Sequence, residues 1–293
     1  MLREGELAVA PGATQKYRQP IAERPIGVDL RQGWGQKIAI PYSGVVDEFR
    51  RKYVRNDYLL TALQEAGIRD LRVPIDDLLD PQMRTRMGDL AAFGHRFHAF
   101  SIDPPSDRLA ALLNHTKCVQ SIEVIARPDV LEQRLSEWRD ALGTSNLTLL
   151  ASRMLSSADF EASAVRFAHP IGHGFRPADL PAVATSIADG AVIRISPEDD
   201  PQTAIQLLPR DYPGELVIYL SLTSVNPAIS ADDDAVQSQR ILNAIQNLRN
   251  YPNARLMLDA LEDHDRGYFP RHGLYDGLFN PRPIARALSR MEL

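Results

Sequence analysis

This chain of 293 residues contains one cysteine, Cys118, and therefore no intrachain disulfide. That excludes a stapled, secreted mini-domain and fits a reducing compartment. Cys118 itself reads as a small apolar core residue. No stretch reaches the roughly 18 consecutive apolar residues of a membrane helix. The opening Met1-Leu-Arg-Glu-Gly-Glu-Leu7 also lacks the apolar segment of a secretory leader. A cytoplasmic protein with no membrane partner is expected. Lys and Arg number 33 against 38 Asp and Glu, a net charge of −5, and the basic residues are scattered. A nucleic-acid partner is not expected from such a balance. No Gly-x-Gly-x-x-Gly follows the first strand, where Gly33-Trp-Gly35 is only a fragment of one, and no Gly-x-x-x-x-Gly-Lys-Ser/Thr exists. Nucleotide and dinucleotide sites lose support, and no cofactor is expected.

What is present is enough apolar residue, 44% of the chain, for one large core. Residues 1–24 are polar and punctuated by Pro-Gly and Gln-Pro, and read as an N-terminal arm. Residues 25–293 read as a single domain. Eight short β-rich runs occupy residues 25–30, 68–75, 97–103, 121–128, 147–152, 191–197, 215–222 and 255–261. Helical stretches separate them, as in Tyr58-Leu-Leu-Thr-Ala-Leu-Gln-Glu-Ala-Gly67, with apolar residues at helical spacing. Gly67 and Gly190 stand where a helix hands over to a strand. Eight βα units predict a closed (β/α)8 barrel of the α/β class. A ninth candidate, residues 165–172, is assigned to a long loop after the fifth strand.

In such a barrel alternate residues point inward, and those at the C-terminal strand ends line the active site. Taking the apolar set of each run as helix-facing leaves a polar set for the axis and mouth. That set comprises Asp29 and Arg31; Arg72 and Asp76; Ser101 and Asp103; Glu123 and Arg127; Arg194, Ser196 and Glu198; Tyr219, Ser221 and Thr223; and Asp259 and Asp263. So many charges at one end are costly unless they pair or meet a polar ligand. A hydroxyl-rich ligand suits that lining, with any carboxylate it carries held by Arg72, Arg127 or Arg194. An interior salt-bridge network without a catalytic role is the competing reading. Trp34, Tyr42 and Tyr268-Phe269 fall in loops at the expected mouth, where aromatic faces stack on sugar rings or plug the barrel top. Trp138 reads as helix–barrel packing.

Three segments carry a resemblance. Residues 59–75 pass from a leucine-rich helix through Ala66-Gly-Ile68 into Leu71-Arg-Val-Pro74. Residues 121–129 read Ser-Ile-Glu-Val-Ile-Ala-Arg-Pro-Asp, and the C-terminus runs from Arg255-Leu-Met-Leu-Asp259 through Gly273-Leu-Tyr-Asp276 to Asn280-Pro-Arg-Pro283 and a closing helix. In this order they resemble (β/α)8-barrel glycoside hydrolases of the Asn-Glu-Pro type, over about a third of the chain. The resemblance implies a carbohydrate-active barrel, but the family's acid/base Glu aligns with Arg127 in Ala126-Arg-Pro128. The seventh run, Tyr219-Leu-Ser-Leu-Thr-Ser224, offers no nucleophilic carboxylate. Arginine, with a pKa above about 12, is no proton donor, and retaining hydrolysis requires two carboxyl groups about 5 Å apart.

Three functions stay open: a hydrolase with relocated carboxylates, a sugar-acid lactonase or isomerase, and a saccharide-binding barrel without turnover. For catalysis, strand parity favours Asp103, Glu198 and Asp263, although Glu198-Asp-Asp-Pro201 also reads as an acidic helix cap. Substrate-binding candidates are Asp29, Arg31, Trp34, Arg72, Glu123, Arg127, Arg194, Asp259, His264 and Tyr268. A metal site is not expected, since Pro170 and Gly172 break any helical pairing of His169 with His173. The expected partner is a small carbohydrate or sugar acid; oligomeric state is left open.

Overall fold

Alternation within eight short runs, with helices between them, decides the architecture. The computed structural model describes residues 26–30, 34–35, 37–39, 53–55, 57–156, 172–180, 187–222, 234–263 and 272–290. The expected arm, residues 1–24, lies outside them, as do residues 165–171 of the ninth candidate strand.

The chain opens with β1 (Ile26–Asp29) and a short antiparallel pair, β2 (Lys37–Ala39) and β3 (Tyr53–Arg55). Then follow β4 (Asp70–Pro74), β5 (Arg96–Ser101), β6 (Val119–Ala126), β7 (Thr148–Arg153), β8 (Gly190–Ile195), β9 (Glu215–Leu220) and β10 (Ala254–Leu258). β1 and β4 to β10 close into one parallel barrel in the order β1-β10-β9-β8-β7-β6-β5-β4. Each of the eight sequence runs is one barrel strand, so the (β/α)8 expectation holds. Around it lie α1 (Tyr58–Ala66), α2 (Pro81–Ala92), α3 (Asp107–His115), α4 (Leu131–Leu142), α5 (Pro201–Gln206), α6 (Asp234–Leu248) and α7 (Pro283–Arg290).

Local chemistry fixes the helix ends. α1 buries Leu59, Ala62, Leu63 and Ala66 on one stripe and ends at Gly67, whose φ of 69° lets its N–H and that of Ile68 cap the last carbonyls. Asp80, Ser106 and Asp200 cap α2, α3 and α5, and Pro81 and Pro201 sit at first helical positions. Trp138 is fully buried on α4, as its packing role requires.

The strands divide their side chains between two cores. Val28, Leu71, Phe97, Ile122, Leu149, Ile193, Ile218 and Leu256 belong to the large helix-facing core. A small separate cluster of Leu150, Val192, Val217, Tyr219 and Met257 fills the barrel interior. The C-terminal stretch closes the wall: Tyr275 pairs with Glu262 and Pro281, and its hydroxyl donates to the Ala62 carbonyl at 2.8 Å. Burial pushes that phenol up to about 12, so it remains a donor. Among the described residues no helix is long and apolar enough to cross a membrane.

Two substitutions separate core from cap. Leu63→Ala, at a fully buried site, is expected to lower stability by about 2–5 kcal/mol. Ser106→Ala removes one capping acceptor and is expected to cost about 1 kcal/mol. Urea unfolding followed by circular dichroism measures both.

Candidate active site

Strand alternation brings a polar cluster together at the C-terminal end of the barrel, with Arg72 at its centre. Arg72 is 4% exposed. Its Nε donates to Glu123 Oε2 at 2.7 Å and its Nη1 to Asp29 Oδ2 at 2.7 Å. Its Nη2 lies 3.3 Å from His173 Nε2. The guanidinium also lies 4.0 Å from the Phe100 ring centre and 5.2 Å from that of Tyr219, which adds cation–π attraction. Tyr219 in turn donates from its hydroxyl to Asp29 Oδ2 at 2.8 Å.

A guanidinium only donates, so the bare nitrogen of a neutral His173 is Nε2 and its proton sits on Nδ1. Nδ1 is 3.3 Å from Ser152 Oγ and 2.8 Å from Glu123 Oε1. The second contact sets the Nδ1–H beside the free oxygen of a carboxylate whose other oxygen is held by Arg72. Ser152 and Glu123 therefore meet the same ring nitrogen, while the other faces Arg72. That arrangement is not a nucleophilic triad, which needs hydroxyl and carboxylate on opposite nitrogens.

Above this layer, Asp259 accepts from Ser221 Oγ at 2.9 Å and from the Leu222 N–H at 3.1 Å. Half-buried Arg194 donates to Ser221 Oγ at 3.3 Å and lies 5.7 Å from the Tyr219 ring centre. Burial opposes charge on Glu123, yet the Arg72 and His173 partners hold its carboxyl well below the usual carboxylate range. Burial, helped by the Arg72 charge, pushes His173 down and keeps it neutral despite Glu123. Burial also opposes charge on Arg72, but Glu123 and Asp29 more than offset it.

A second polar cluster closes the N-terminal end. Asp70 takes Arg96 Nε at 2.8 Å and Nη2 at 3.1 Å, and meets His98 Nε2 at 3.0 Å. His98 Nδ1 meets Ser121 Oγ at 2.8 Å, and Arg255 Nη2 pairs with Glu215 at 2.6 Å. Ser121, His98 and Asp70 do have triad connectivity, but Ser121 is 1% exposed and this end of such a barrel serves stability.

Of the substrate-binding candidates, the structure gathers Asp29, Arg72, Glu123, Arg194 and Asp259 at the mouth. Arg127 is exposed and pairs with Asp129 at 2.7 Å on the surface. Trp34 is 4% exposed, donates to Asp77 Oδ2 at 2.8 Å and packs 5.9 Å from helix-facing Phe97. It therefore sits behind the barrel wall and presents no stacking face at the mouth. The three catalytic candidates stand apart from the hydrogen bonds around Arg72. Asp103 and Glu198 are exposed beyond their strand ends, and Asp200, not Glu198, caps α5. Asp263 accepts from the Gly273 N–H at 2.8 Å and pairs with Arg282, fixing the loop before α7. Arg31, His169, His264 and Tyr268 lie outside the described residues, as do Tyr42 and Phe269.

In the third barrel strand, β5, parity runs opposite to expectation: His98 and Phe100 point inward, in register with Arg72 and Pro74. Both alternating sets of Arg96-Phe-His-Ala-Phe-Ser mix polar and apolar residues, so period alone does not choose between them. His173 and Ser152 were missed as site residues; a lone histidine in a loop carries no periodic signal. Among the described residues no group of three His, Cys, Asp or Glu side chains could hold a metal ion.

Removing Arg72 leaves two buried carboxylates uncompensated, so Arg72→Met is expected to lower stability by about 3–5 kcal/mol. Arg127→Ala, at an exposed pair, should stay within about 0.5 kcal/mol. The pH dependence has a fixed sign. Neutral buried His173 and His98, both pushed down, destabilise the fold as pH falls below roughly 6.5, where the unfolded chain binds their protons. Glu123 and Asp70, both held low, add a steeper loss below roughly pH 4, as unfolded carboxylates protonate. Denaturant midpoints between pH 3 and 8 check this; equal midpoints throughout would contradict it.

No family model and no curated protein matches the sequence. Solved structures are similar in fold. A family 39 glycoside hydrolase from the gut symbiont Bacteroides cellulosilyticus WH2 superposes with a TM-score of 0.57 at 11% identity, over 92% of this chain and 64% of that one. A β-glucuronidase of Bacteroides uniformis, in a calcium-binding mutant form, gives 0.51 at 9% identity, over 91% of this chain and 34% of the other. A psychrophilic glycoside hydrolase family 10 endo-β-1,4-xylanase gives 0.50 at 10% identity, over 92% and 97%. The chain thus spans less than two thirds of the first two. At these identities the likeness is one of fold: the chain shares the (β/α)8 barrel found in glycoside hydrolases.

Proposed function

We propose that this chain is a carbohydrate-active barrel of hydrolase type, working at the mouth above Arg72. One observation carries the reading: at the C-terminal end of the barrel the buried Arg72 guanidinium binds two carboxylates, Asp29 Oδ2 and Glu123 Oε2, each at 2.7 Å, and holds Glu123 well below the usual carboxylate range. A carboxylate held ionised at a barrel mouth suits a reaction that develops positive charge, as in the oxocarbenium-like transition state of glycoside cleavage.

In this reading Glu123 and Asp29 stabilise positive charge at the anomeric carbon while water adds there and a proton passes to the departing sugar oxygen; Arg72 keeps Glu123 ionised and holds both carboxylates in place. Ser221, Asp259 and Arg194 bind substrate hydroxyls from the upper layer. The glycoside hydrolase likeness of the fold supports the substrate class. A second reading, opening of a sugar-acid lactone, is favoured by half-buried Arg194, a guanidinium beside Ser221 suited to a carboxylate.

The test is a panel of nitrophenyl glycosides, nitrophenyl glycuronides and sugar lactones, run with wild type, Glu123→Gln, Asp103→Asn and Glu198→Gln. Hydrolysis of a glycoside is expected, with kcat reduced by about 10²–10³ in Glu123→Gln. Asp103→Asn and Glu198→Gln, on exposed side chains, should keep kcat within about twofold. Turnover of lactones alone selects the second reading. Saturable sugar binding without turnover of any compound overturns both and leaves a saccharide-binding barrel.

A further inference from the structure

The barrel is not evenly zipped. β7 and β8 pair only at Leu150↔Gly190 and Ala151↔Ala191, near the start of β8. Toward the mouth the two strands part, and residues 172–175 enter the gap. The Leu155 N–H donates to the Gly172 carbonyl and the Gly174 N–H to the Arg153 carbonyl, both at 2.9 Å, on the β7 side. On the β8 side the Phe175 N–H donates to Val192 and the Arg194 N–H to Phe175, both at 2.8 Å. Bridges Met154↔His173 and Phe175↔Ile193 complete the insertion.

Gly174 makes this approach possible. Its φ is 101°, a conformation L side chains rarely adopt, and an added Cβ would lie 2.9 Å from Arg194 Cβ and 3.0 Å from its backbone nitrogen. The glycine lets the segment press flat against β8, which turns its neighbour His173 into the barrel. There the ring stands edge-on to Tyr219, with centroids 4.6 Å apart.

We propose that His173 is the positioning residue for Glu123, and that the mouth is complete only while residues 172–175 are docked between β7 and β8. Glu123 has two oxygens: one is fixed by Arg72 Nε, and the other is approached by His173 Nδ1. Without the ring, that second oxygen faces a void or water, and the carboxylate is free to rotate about its bond to Arg72. The Arg72 Nη2 donor would lose its partner at the same time. Effects of this kind, in which a group that does not touch substrate sets the orientation of one that does, commonly change rates about 10–100-fold.

The inference rests on Glu123 being the ionised carboxylate of the proposed site, so its test has one arm that needs no substrate. Exchange of the Arg72 Nε–H with solvent, read by 15N–1H NMR at pH 6.5, reports whether Glu123 still grips the guanidinium. Three variants are compared: His173→Phe, which keeps ring volume; His173→Asn, which keeps a short donor where Nδ1 lay; and Gly174→Ala, which lifts the segment. Wild type and His173→Asn are expected to protect this proton. His173→Phe and Gly174→Ala should raise its exchange about tenfold or more while melting cooperatively. Should His173→Phe not fold, Gly174→Ala with intact His173 gives the same readout. Wild-type exchange in either folded variant overturns the proposal. In the second arm, on any glycoside that wild type turns over, His173→Phe should lower kcat about tenfold or more with KM little changed, and His173→Asn should recover most of it. An unchanged kcat in His173→Phe also overturns the proposal. Failure of wild type to turn over any glycoside counts against the hydrolase reading alone, since the exchange arm still decides the role of His173.

Discussion

The mouth of this barrel depends on the bond network of one guanidinium. Arg72 projects from β4, yet its partners come from β1, from β6 two strands away, and from the segment inserted between β7 and β8. Tyr219 on β9 packs near it and holds the same Asp29 oxygen. With Phe100 of β5 also against it, six separate pieces of chain, β4 included, meet at this one cation. An arginine suits this position because its planar fork offers donors in three directions, where an ammonium would offer a point charge. With each nitrogen partnered and two aromatic rings nearby, Arg72 is the frame around which Asp29 and Glu123 are held.

The interior is layered by physical demand. At its N-terminal end Asp70 and Glu215 pair with Arg96 and Arg255, and an apolar layer of Leu150, Val192, Val217 and Met257 lies in the barrel interior. That layer lowers the dielectric inside the barrel, which strengthens the polar interactions there. Glu123 and Asp70 are both held ionised against burial, by different means. Asp70 relies on hydrogen bonds from His98 and Arg96, whereas Glu123 relies first on the Arg72 charge. The first cluster is drawn from residues of the barrel strands. The second includes His173, which arrives from outside the strand order.

Alternation along the sequence was a good guide wherever the strand persisted. Asp29, Arg72, Glu123, Arg194 and Asp259 all sit inside or within one residue of a barrel strand, and all point into the interior. The rule lost meaning one or two residues further on. Asp103 and Glu198 keep the right parity on paper, but the chain has left the sheet there, and both residues are exposed beyond the strand ends. Asp263 fails differently: after Asp259 the backbone pairs with Tyr275, and the side chain is taken by Gly273 and Arg282. Trp34 was read as a mouth aromatic because it follows β1, but nothing in a single sequence tells a loop tryptophan that lines a mouth from one that folds behind the wall. β5 was misread because both of its faces carry aromatic and polar residues. These failures share a cause. Period-2 patterning encodes which side of a sheet a residue occupies, and carries no information once hydrogen-bonded neighbours stop fixing the backbone.

His173 shows the limit from the other side, since its place is set by a glycine rather than by its own neighbours in a pattern. Gly172-His-Gly174-Phe175 has neither helical nor strand periodicity, and an isolated strand of that composition would be unstable. It forms isolated bridges to both neighbours because β7 and β8 diverge and leave backbone groups facing each other across a gap. Buried backbone donors and acceptors must find partners, so the gap itself selects a segment that can hydrogen-bond on both sides. Only a residue without a Cβ allows the required approach to Arg194. Once the glycine fixes the segment's depth, the preceding side chain has one direction available, inward, and a neutral imidazole meets both an acceptor and a donor there. The backbone demand at the split between two strands thus precedes, and accounts for, the chemistry assembled at the mouth.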